Sequence, residues 1–396
     1  MVQALSSPRV MGFAPYARRM GQVTGLTTYA GPMQELAERW LRVRGEGEHG
    51  GVDGDFVCSP AGLWLALGAV TAGARGQTAG ELETLLGLVG TGSGTAGAVT
   101  DTARALARTD QLGVATRVWS RVPVYRAYRE ALPDIGFGHM DPAEIDAWVR
   151  EATGGLIEKL PAEVNEKTLL ALVNVLALKA RWQMPFEARD TADLPFTDAG
   201  GTVHAVRTMR QQLGAASGWT VDGTHVVELR CEGGESALRV RFVLGAEGAR
   251  AADVLPAAWA PESRRAPIDT ERISVFLPRL ELRTTIEITP QLAALGVTYA
   301  TSDLADFSGL SPERLKIEKV VQEAVVKVAE LGVEAAAVTA IMMRAAGMAR
   351  PPRVVPIAFD RPFGVVVLDA TGEVPLFTGW QASAPRGPEI GTGTGQ

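Results

Sequence analysis

The sequence predicts an α+β fold in one domain, on three observations. The chain has 396 residues, 46% of them hydrophobic, which is ample for a large core. The β-branched run LKIEKVVQEAVVKV (315–328) has the composition of a central strand, whereas TAGELETLLGL (78–88) is helical. Length alone would suggest two or three domains, but no long Pro/Gly/Ser linker divides the middle of the chain.

The predicted domain spans residues 29–382, between an N-terminal tail (1–28) and a C-terminal tail (383–396) that both have the composition of poorly ordered ends. The interior patch GTGSGTAG (90–97) is rich in glycine and predicts a loop. It includes the Gly-x-Gly-x-x-Gly spacing of dinucleotide sites. It follows a helical segment instead of a strand, however, and no acid lies near position 117 to hold a ribose, so a dinucleotide site is not expected.

The start of the chain indicates a cytoplasmic protein. A run of polar residues and proline at positions 6–9 interrupts the apolar segment that a signal peptide needs, although export by another route stays open. No stretch approaches the roughly 20 apolar residues that span a bilayer, so no membrane partner is expected. Cys58 and Cys231 lack the number and spacing of a disulfide framework or a metal site. Only six of the 39 Lys and Arg residues are lysine, which is typical of a GC-rich bacterial genome.

Charge and histidine placement exclude two classes of function. A formal net charge of −6 argues against a nucleic-acid partner, which would need a clustered basic face. The four histidines lie in unrelated surroundings and none belongs to a catalytic or metal-binding motif: His49, His139, His204 and His225. No catalytic residue, metal or cofactor is therefore predicted.

Residues 330–344, ELGVEAAAVTAIMMR, are the most informative segment. Taken alone the segment predicts a helix, because its alanines are strong helix formers and no proline interrupts before Pro351. It directly follows the predicted strand, however, and Gly332 offers the backbone a pivot at little steric cost. In this context the segment predicts a hinge.

The segment GVEAAAVTA (332–340) resembles the hinge of the reactive-centre loop in serpins, the serine-protease inhibitors that trap their targets. Seven further segments resemble the family in its order and spacing: FVCSPAGLWLALGAVTAGARGQTAGEL (56–82), IDAWVREATGGLIEKL (145–160), LVNVLALKARWQMPF (172–186), VFLPRLEL (275–282), LAALGV (292–297), DLADFSGLS (303–311) and FDRPFGVVVLDATGEVPLFTGW (359–380). The resemblance covers roughly residues 30 to 382. It implies a large mixed central β-sheet with further sheets, about eight to nine helices and an exposed reactive-centre loop.

The resemblance also implies a mechanism, in which a protease cleaves the loop and the freed segment inserts as a new strand of the central sheet. The composition of the segment agrees with insertion. One face of the inserted strand would carry Val333, Ala335, Ala337, Thr339, Ile341 and Met343, all uncharged, whereas the other would carry Glu334, Ala336, Val338, Ala340, Met342 and Arg344. A slip of one residue would bury Glu334 and Arg344, so the pattern also sets the register. The hinge is assigned to Glu330, Gly332, Val333, Glu334, Ala335, Ala336, Ala337, Val338 and Thr339.

Family spacing from Gly332 places the scissile bond between Ala346 and Gly347. A count from the other end of the loop shifts the site toward Met348, and Arg344 is a third candidate. Ala346 suits proteases with a shallow apolar pocket, of elastase or subtilisin type, whereas Arg344 would suit trypsin-like enzymes. The expected partner is therefore a serine protease, with a cysteine protease as the second possibility.

The resemblance assigns four residues to the region where the central sheet parts. Ser59 and Asn174 match polar positions of the family, Trp182 matches a tryptophan at the top of the opening, and Gln322 stands where the family has histidine. A carboxamide both donates and accepts, so the hydrogen-bonded network can survive this replacement, although the titratable group is lost. Each of the four could equally be an ordinary core residue.

Two alternatives to an inhibitor stay open: a non-inhibitory serpin that acts as a carrier or chaperone, and, more distantly, a hydrolytic or redox enzyme. Carriers tend to place bulky, charged or proline residues in the hinge, and this chain does not. Some serpins bind polyanionic sugars through one helix, but the matching segment, AVTDTARALART (98–109), offers only Arg104 and Arg108. Heparin-type activation is not expected, and a monomer is.

Overall fold

The computed structural model describes residues 26–45, 54–92, 94–108, 111–159, 168–178, 180–332, 350 and 352–388. Within these residues the α+β prediction is confirmed. The described helices are α1 (Ala30–Gly45), α2 (Pro60–Thr71), α3 (Gly76–Leu86), α4 (Gly94–Ala107), α5 (Arg126–Ala131), α6 (Pro142–Ala152), α7 (Ala251–Val254) and α8 (Thr289–Leu292).

The strands form four hydrogen-bonded sheets. In chain order they are β1 (Phe56–Cys58), β2 (Leu112–Ser120), β3 (Gly136–His139), β4 (Leu170–Leu178), β5 (Ala192–Thr197), β6 (Val203–Gly214), β7 (Gly218–Val221), β8 (Thr224–Arg230), β9 (Arg239–Leu244), β10 (Ala266–Pro267), β11 (Arg272–Pro278), β12 (Leu280–Glu287), β13 (Val321–Val328), β14 (Val354–Ala358), β15 (Phe363–Leu368) and β16 (Pro375–Gln381).

The largest sheet has seven strands in the order β1-β16-β15-β9-β8-β7-β10, and all of its pairs are antiparallel. Every residue of β15 and β16 is buried, which explains why their sequences read as continuous apolar runs without alternation. Phe242, Phe359 and Phe363 pack edge to face beside this sheet, with ring centroids 5.8 Å and 5.3 Å apart. A four-stranded sheet has the order β14-β11-β6-β5, in which β14 runs parallel to β11.

Two smaller sheets carry the candidate site. One has the order β3-β2-β4, and the other consists of β12 and β13 in antiparallel pairing. Helix α6 packs on β2 and β4 and encloses a small apolar core.

Local sequence signals explain two helix starts. Ser59 caps α2, since its hydroxyl accepts the backbone N–H of Gly62, and Pro60 occupies the first turn. Asp141 caps α6 in the same way and is also followed by proline.

Two predictions need correction. The glycine-rich patch at 90–97 was expected to be a loop, but α4 begins at Gly94, so its last four residues form the first turn of a helix. Tertiary contacts outweigh the weak helix propensity of glycine there, because Ala98 and Val99 are fully buried. The strand expected over 315–328 begins only at Val321.

Candidate functional site

The candidate site is the line along which β4 and β13 lie side by side, called the seam below. Val173 and Val175 of β4 share an apolar cluster with Val325 of β13, and residues just beyond both strands are hydrogen-bonded to each other. The two strands therefore run in the same direction. They nevertheless belong to different sheets, because no ladder joins them among the backbone groups that the structure describes.

Trp182 closes the seam at the end where both strands finish, called the exit end below. The indole is fully buried, and its Nε1 donates to the carbonyl oxygen of Ala329 at 2.9 Å. The backbone N–H of Trp182 donates to Leu331 at 3.0 Å, and the ring meets Phe242 edge to face at 6.4 Å. One side chain thus joins the end of β13 to the segment that follows β4 and to the seven-stranded sheet.

Gly332 lies directly against the chain that follows β4. Its φ is +152°, a conformation that side chains rarely adopt, and it forms a bridge with Arg181. A Cβ atom here would lie 2.1 Å from the carbonyl oxygen of Ala180 and 2.6 Å from the Cα atom of Arg181. Close backbone approach therefore requires glycine, in addition to the pivot that the sequence suggested.

Glu330 anchors the end of β13 through a buried ion pair. Its Oε1 accepts from Arg279 Nε at 2.8 Å, from Arg279 Nη2 at 2.5 Å and from the Thr191 hydroxyl at 2.7 Å. Burial raises the pKa of Glu330, but the hydrogen bonds from Arg279 and Thr191 outweigh it and hold the pKa below its ordinary value. The carboxylate stays ionised and holds the chain at the point where it leaves the sheet.

Ser59 and Gln322 meet at the opposite end of the seam, where β13 begins. The Gln322 carboxamide accepts from the Ser59 backbone N–H at 2.6 Å and donates to the Ser59 carbonyl oxygen at 2.9 Å. The Ser59 hydroxyl donates to Leu376 at 2.6 Å. Both side chains are buried, so this polar contact joins β13 to the start of α2 and to β16 without a titratable group.

The four residues assigned to sheet opening do not form one cluster. Ser59 and Gln322 touch, whereas Trp182 lies at the exit end, at the other end of β13. Asn174 lies within β4 opposite Thr116, and its side chain lies outside the described part of the structure.

The loop assignments lie outside the described residues: Val333, Glu334, Ala335, Ala336, Ala337, Val338 and Thr339 of the hinge, and Arg344, Ala346, Gly347 and Met348 of the reactive bond. The described chain ends at Gly332 beside the exit end and resumes shortly before β14.

A segment after α6 crosses from the three-stranded sheet to the two-stranded one. Ile157, which is 2% exposed, packs in the cluster over the seam. Arg283 of β12 donates to the Leu156 carbonyl oxygen at 2.8 Å and pairs with Glu323 of β13 at 2.8 Å. No motif announced Arg283, because its role depends on a contact between positions 127 residues apart.

The three described histidines, His139, His204 and His225, lie on three different strands. His204 Nε2 contacts Asp198 at 2.6 Å, and the hydrogen bond from His204 lowers the pKa of Asp198. The described residues contain no group of three or more His, Cys, Asp or Glu side chains placed to hold a metal ion. None of the helices in the described part of the chain is both long and apolar enough to cross a membrane.

Comparison with known proteins gives consistent matches. The family model Serpin (serine protease inhibitor) matches residues 46–383. Alpha-1-antiproteinase S of Cavia porcellus is 32% identical over 263 residues, which cover 64% of this chain and 61% of that protein. The chain spans only 60% to 62% of the length of the first three relatives that it matches.

Two solved structures share the fold. Human thyroxine-binding globulin in complex with its hormone has a TM-score of 0.77 at 21% identity, covering 91% of this chain and 100% of that chain. Serpin48 of the insect Tenebrio molitor has a TM-score of 0.75 at 23% identity, covering 90% and 98%. Both likenesses concern the fold alone.

Proposed function

Because the chain belongs to the serpin family, we propose that it inhibits serine proteases as a suicide substrate. The protease nucleophile attacks the carbonyl carbon of the scissile residue, the amide bond breaks, and the new amino terminus leaves. The acyl group stays on the protease. The freed segment then enters the seam as a new strand and carries the protease with it.

The observation that carries this proposal is the seam. Its two strands lie in contact without a ladder among the described backbone groups, so their facing edges offer N–H and C=O groups to an additional strand. Gly332 leads the chain away at the exit end, within reach of that space. The alternating composition of 333–344 supports insertion in one register.

The partner follows from the residue at the loop apex. With Ala346 as the scissile residue, the inhibitor is directed at elastase- or subtilisin-like enzymes, because a shallow apolar pocket accepts a methyl side chain. Arg344 and Met348 are the alternatives, and a cysteine protease is the second class of target. The inhibitor acts as a monomer in a 1:1 complex.

Formation of an SDS-resistant 1:1 complex with a panel of proteases tests the proposal. Val333→Arg should turn the inhibitor into a substrate, because it places an unpaired charge on the face that becomes buried on insertion. Val338→Arg is the matched control, since it adds the same side chain to the opposite face and should leave most of the complex intact. If every protease that cuts the loop is released active, the inhibitory proposal is wrong and a non-inhibitory serpin remains.

Specificity is tested separately. An elastase- or subtilisin-like enzyme should associate faster than trypsin, and Ala346→Arg should reverse that order. Efficient trapping of trypsin by the unmodified protein, with cleavage after Arg344, would move the scissile bond by two residues. Mass spectrometry of the loop fragments identifies the bond in either case.

A further inference from the structure

A second concentration of charge lies on the seven-stranded sheet, on the face that carries Glu228. The register of β8 and β9 places Glu228 opposite Arg241 and Arg230 opposite Arg239. Since alternate residues of a strand share a face, one carboxylate and three guanidinium groups lie together there. Sequence reasoning did not find this cluster, because it depends on strand register.

The inner pair of this cluster is complete in itself. Arg241 is 1% exposed, and its Nε and Nη2 atoms both lie 2.9 Å from Glu228 Oε2. Its Nη1 atom donates to the carbonyl oxygens of Ala258 and Gly372. Arg241 therefore has its partners within the protein, and it uses the stronger part of the Glu228 charge.

The outer arginines have a much weaker hold on the same carboxylate. Arg230 Nε lies 3.3 Å from Glu228 Oε1, and Arg239 Nη1 lies 3.7 Å from Oε2. Their side chains are 57% and 25% exposed. Like charges directly opposite each other across a ladder repel, and three cations against one anion leave this face with a local excess of two positive charges.

The neighbouring groups do not supply the missing negative charge. Asp369 lies beside the Ala370 carbonyl oxygen that accepts from Arg239 Nε at 2.8 Å. The Asp369 carboxylate is occupied by the Thr371 hydroxyl and by the backbone N–H groups of Glu373 and Val374.

A fourth guanidinium adds to the positive field. Arg265 Cζ lies 4.9 Å from the centroid of the Trp219 ring, and Arg241 Cζ lies 5.2 Å from it. The Trp219 Nε1 donor is buried and has no hydrogen-bond partner among the residues that the structure describes. The surroundings of the cluster thus offer further positive charge and a spare donor.

We propose that Arg230 and Arg239, backed by the Glu228–Arg241 pair, form a binding site for a polyvalent oxyanion, either a free phosphate or sulfate ion or the phosphate or sulfate ester of a larger molecule. Each guanidinium is a planar fork that matches two oxygens of such a group. A dianion would neutralise the excess charge, whereas chloride supplies neither two charges nor several acceptors.

Isothermal titration calorimetry of the full chain with inorganic phosphate at constant ionic strength tests the site. Saturable 1:1 binding is expected, with affinity reduced about tenfold or more in Arg230→Gln and in Arg239→Gln, as loss of a charge-assisted hydrogen bond predicts. Arg126→Gln is the matched control, because Arg126 is 89% exposed on α5 and pairs with Glu130. Since Arg230 is more than half exposed, its replacement should preserve the fold.

The arms of the experiment distinguish the sources of the anion. Phenyl phosphate that binds more tightly than inorganic phosphate would indicate an ester of a larger molecule, and equal affinity would indicate the free ion. Inorganic sulfate tests whether charge and shape suffice. Absence of saturable binding of all three, or equal loss of affinity in Arg126→Gln, would overturn the proposal. Phosphate also raises stability by exclusion from surfaces, but that effect does not saturate and is the same in all variants.

Discussion

Replacing Glu330 by glutamine isolates the charge that holds the end of β13. The side chain keeps its shape and can still accept from Arg279 and Thr191, but two charge-assisted hydrogen bonds become neutral ones. A bond to a charged group contributes about 1.5–3 kcal/mol and a neutral one about 0.5–1.5 kcal/mol. The substitution should therefore lower the free energy of unfolding by about 2 kcal/mol. Glu330→Ala should cost about 3–5 kcal/mol, because it leaves the largely buried Arg279 without a partner.

Equilibrium unfolding in urea at pH 7 measures this difference, and a double-mutant cycle with Arg279→Gln isolates the coupling. Glu130→Gln is the control, because it breaks an exposed pair with Arg126 and should change stability by less than about 1 kcal/mol. A Glu330→Gln midpoint equal to that of the wild type, or a cycle without coupling, would refute the argument that a buried charge anchors the exit end.

The same pair predicts a pH dependence. Burial raises the pKa of Glu330, but Arg279 and Thr191 outweigh it and hold the pKa of the folded state low. Its contribution is therefore complete above the unfolded pKa of about 4.3 and is lost as the pH falls through the lower folded value. The stability difference between wild type and Glu330→Gln should stay constant from about pH 8 to 5 and shrink below about pH 4. A difference that instead grows on acidification would contradict this sign.

Three further predictions concern the seam. Gln322→Met removes both hydrogen bonds to the Ser59 backbone and should lower the urea midpoint by about 2–4 kcal/mol in free energy, since two buried groups lose their partner; a change under about 0.5 kcal/mol would show that water replaces the carboxamide. Gly332→Ala brings a Cβ atom against Ala180 and should destabilise by about 1–3 kcal/mol, measured in the same way; an unaffected midpoint would mean that the backbone moves aside freely. Cleavage between residues 344 and 349 should raise the thermal midpoint, because an inserted strand gains ladder hydrogen bonds at about 1 kcal/mol each and roughly 25 cal/mol per Å² of buried apolar surface; an unchanged or lowered midpoint would exclude insertion.

The local sequence explains many features of this fold. Ser59 followed by Pro60 and Asp141 followed by a proline each announce a helix start through chemistry confined to a few residues. The family resemblance adds the sheets and the hinge, and its assignments of Val333 to Thr339 and of Ala346 stay predictions. Short-range signals fail where packing outweighs propensity, as at Gly94, where a glycine-rich patch starts a helix because the residues after it are buried.

The sequence alone determined the α+β class, the family and the alternating pattern of the hinge, because these depend on composition and on residues close together in the chain. The tertiary structure alone decided which charges meet. Glu330 finds Arg279 51 residues away and Thr191 139 residues away, and Arg230 faces Arg239 only through the register of two strands. An isolated acid or arginine in a sequence is ordinarily a solvated surface group. Only the three-dimensional arrangement distinguishes a buried anchor or an unbalanced cluster from such a group, since electrostatic energy depends on distance and burial, which the order of residues does not specify.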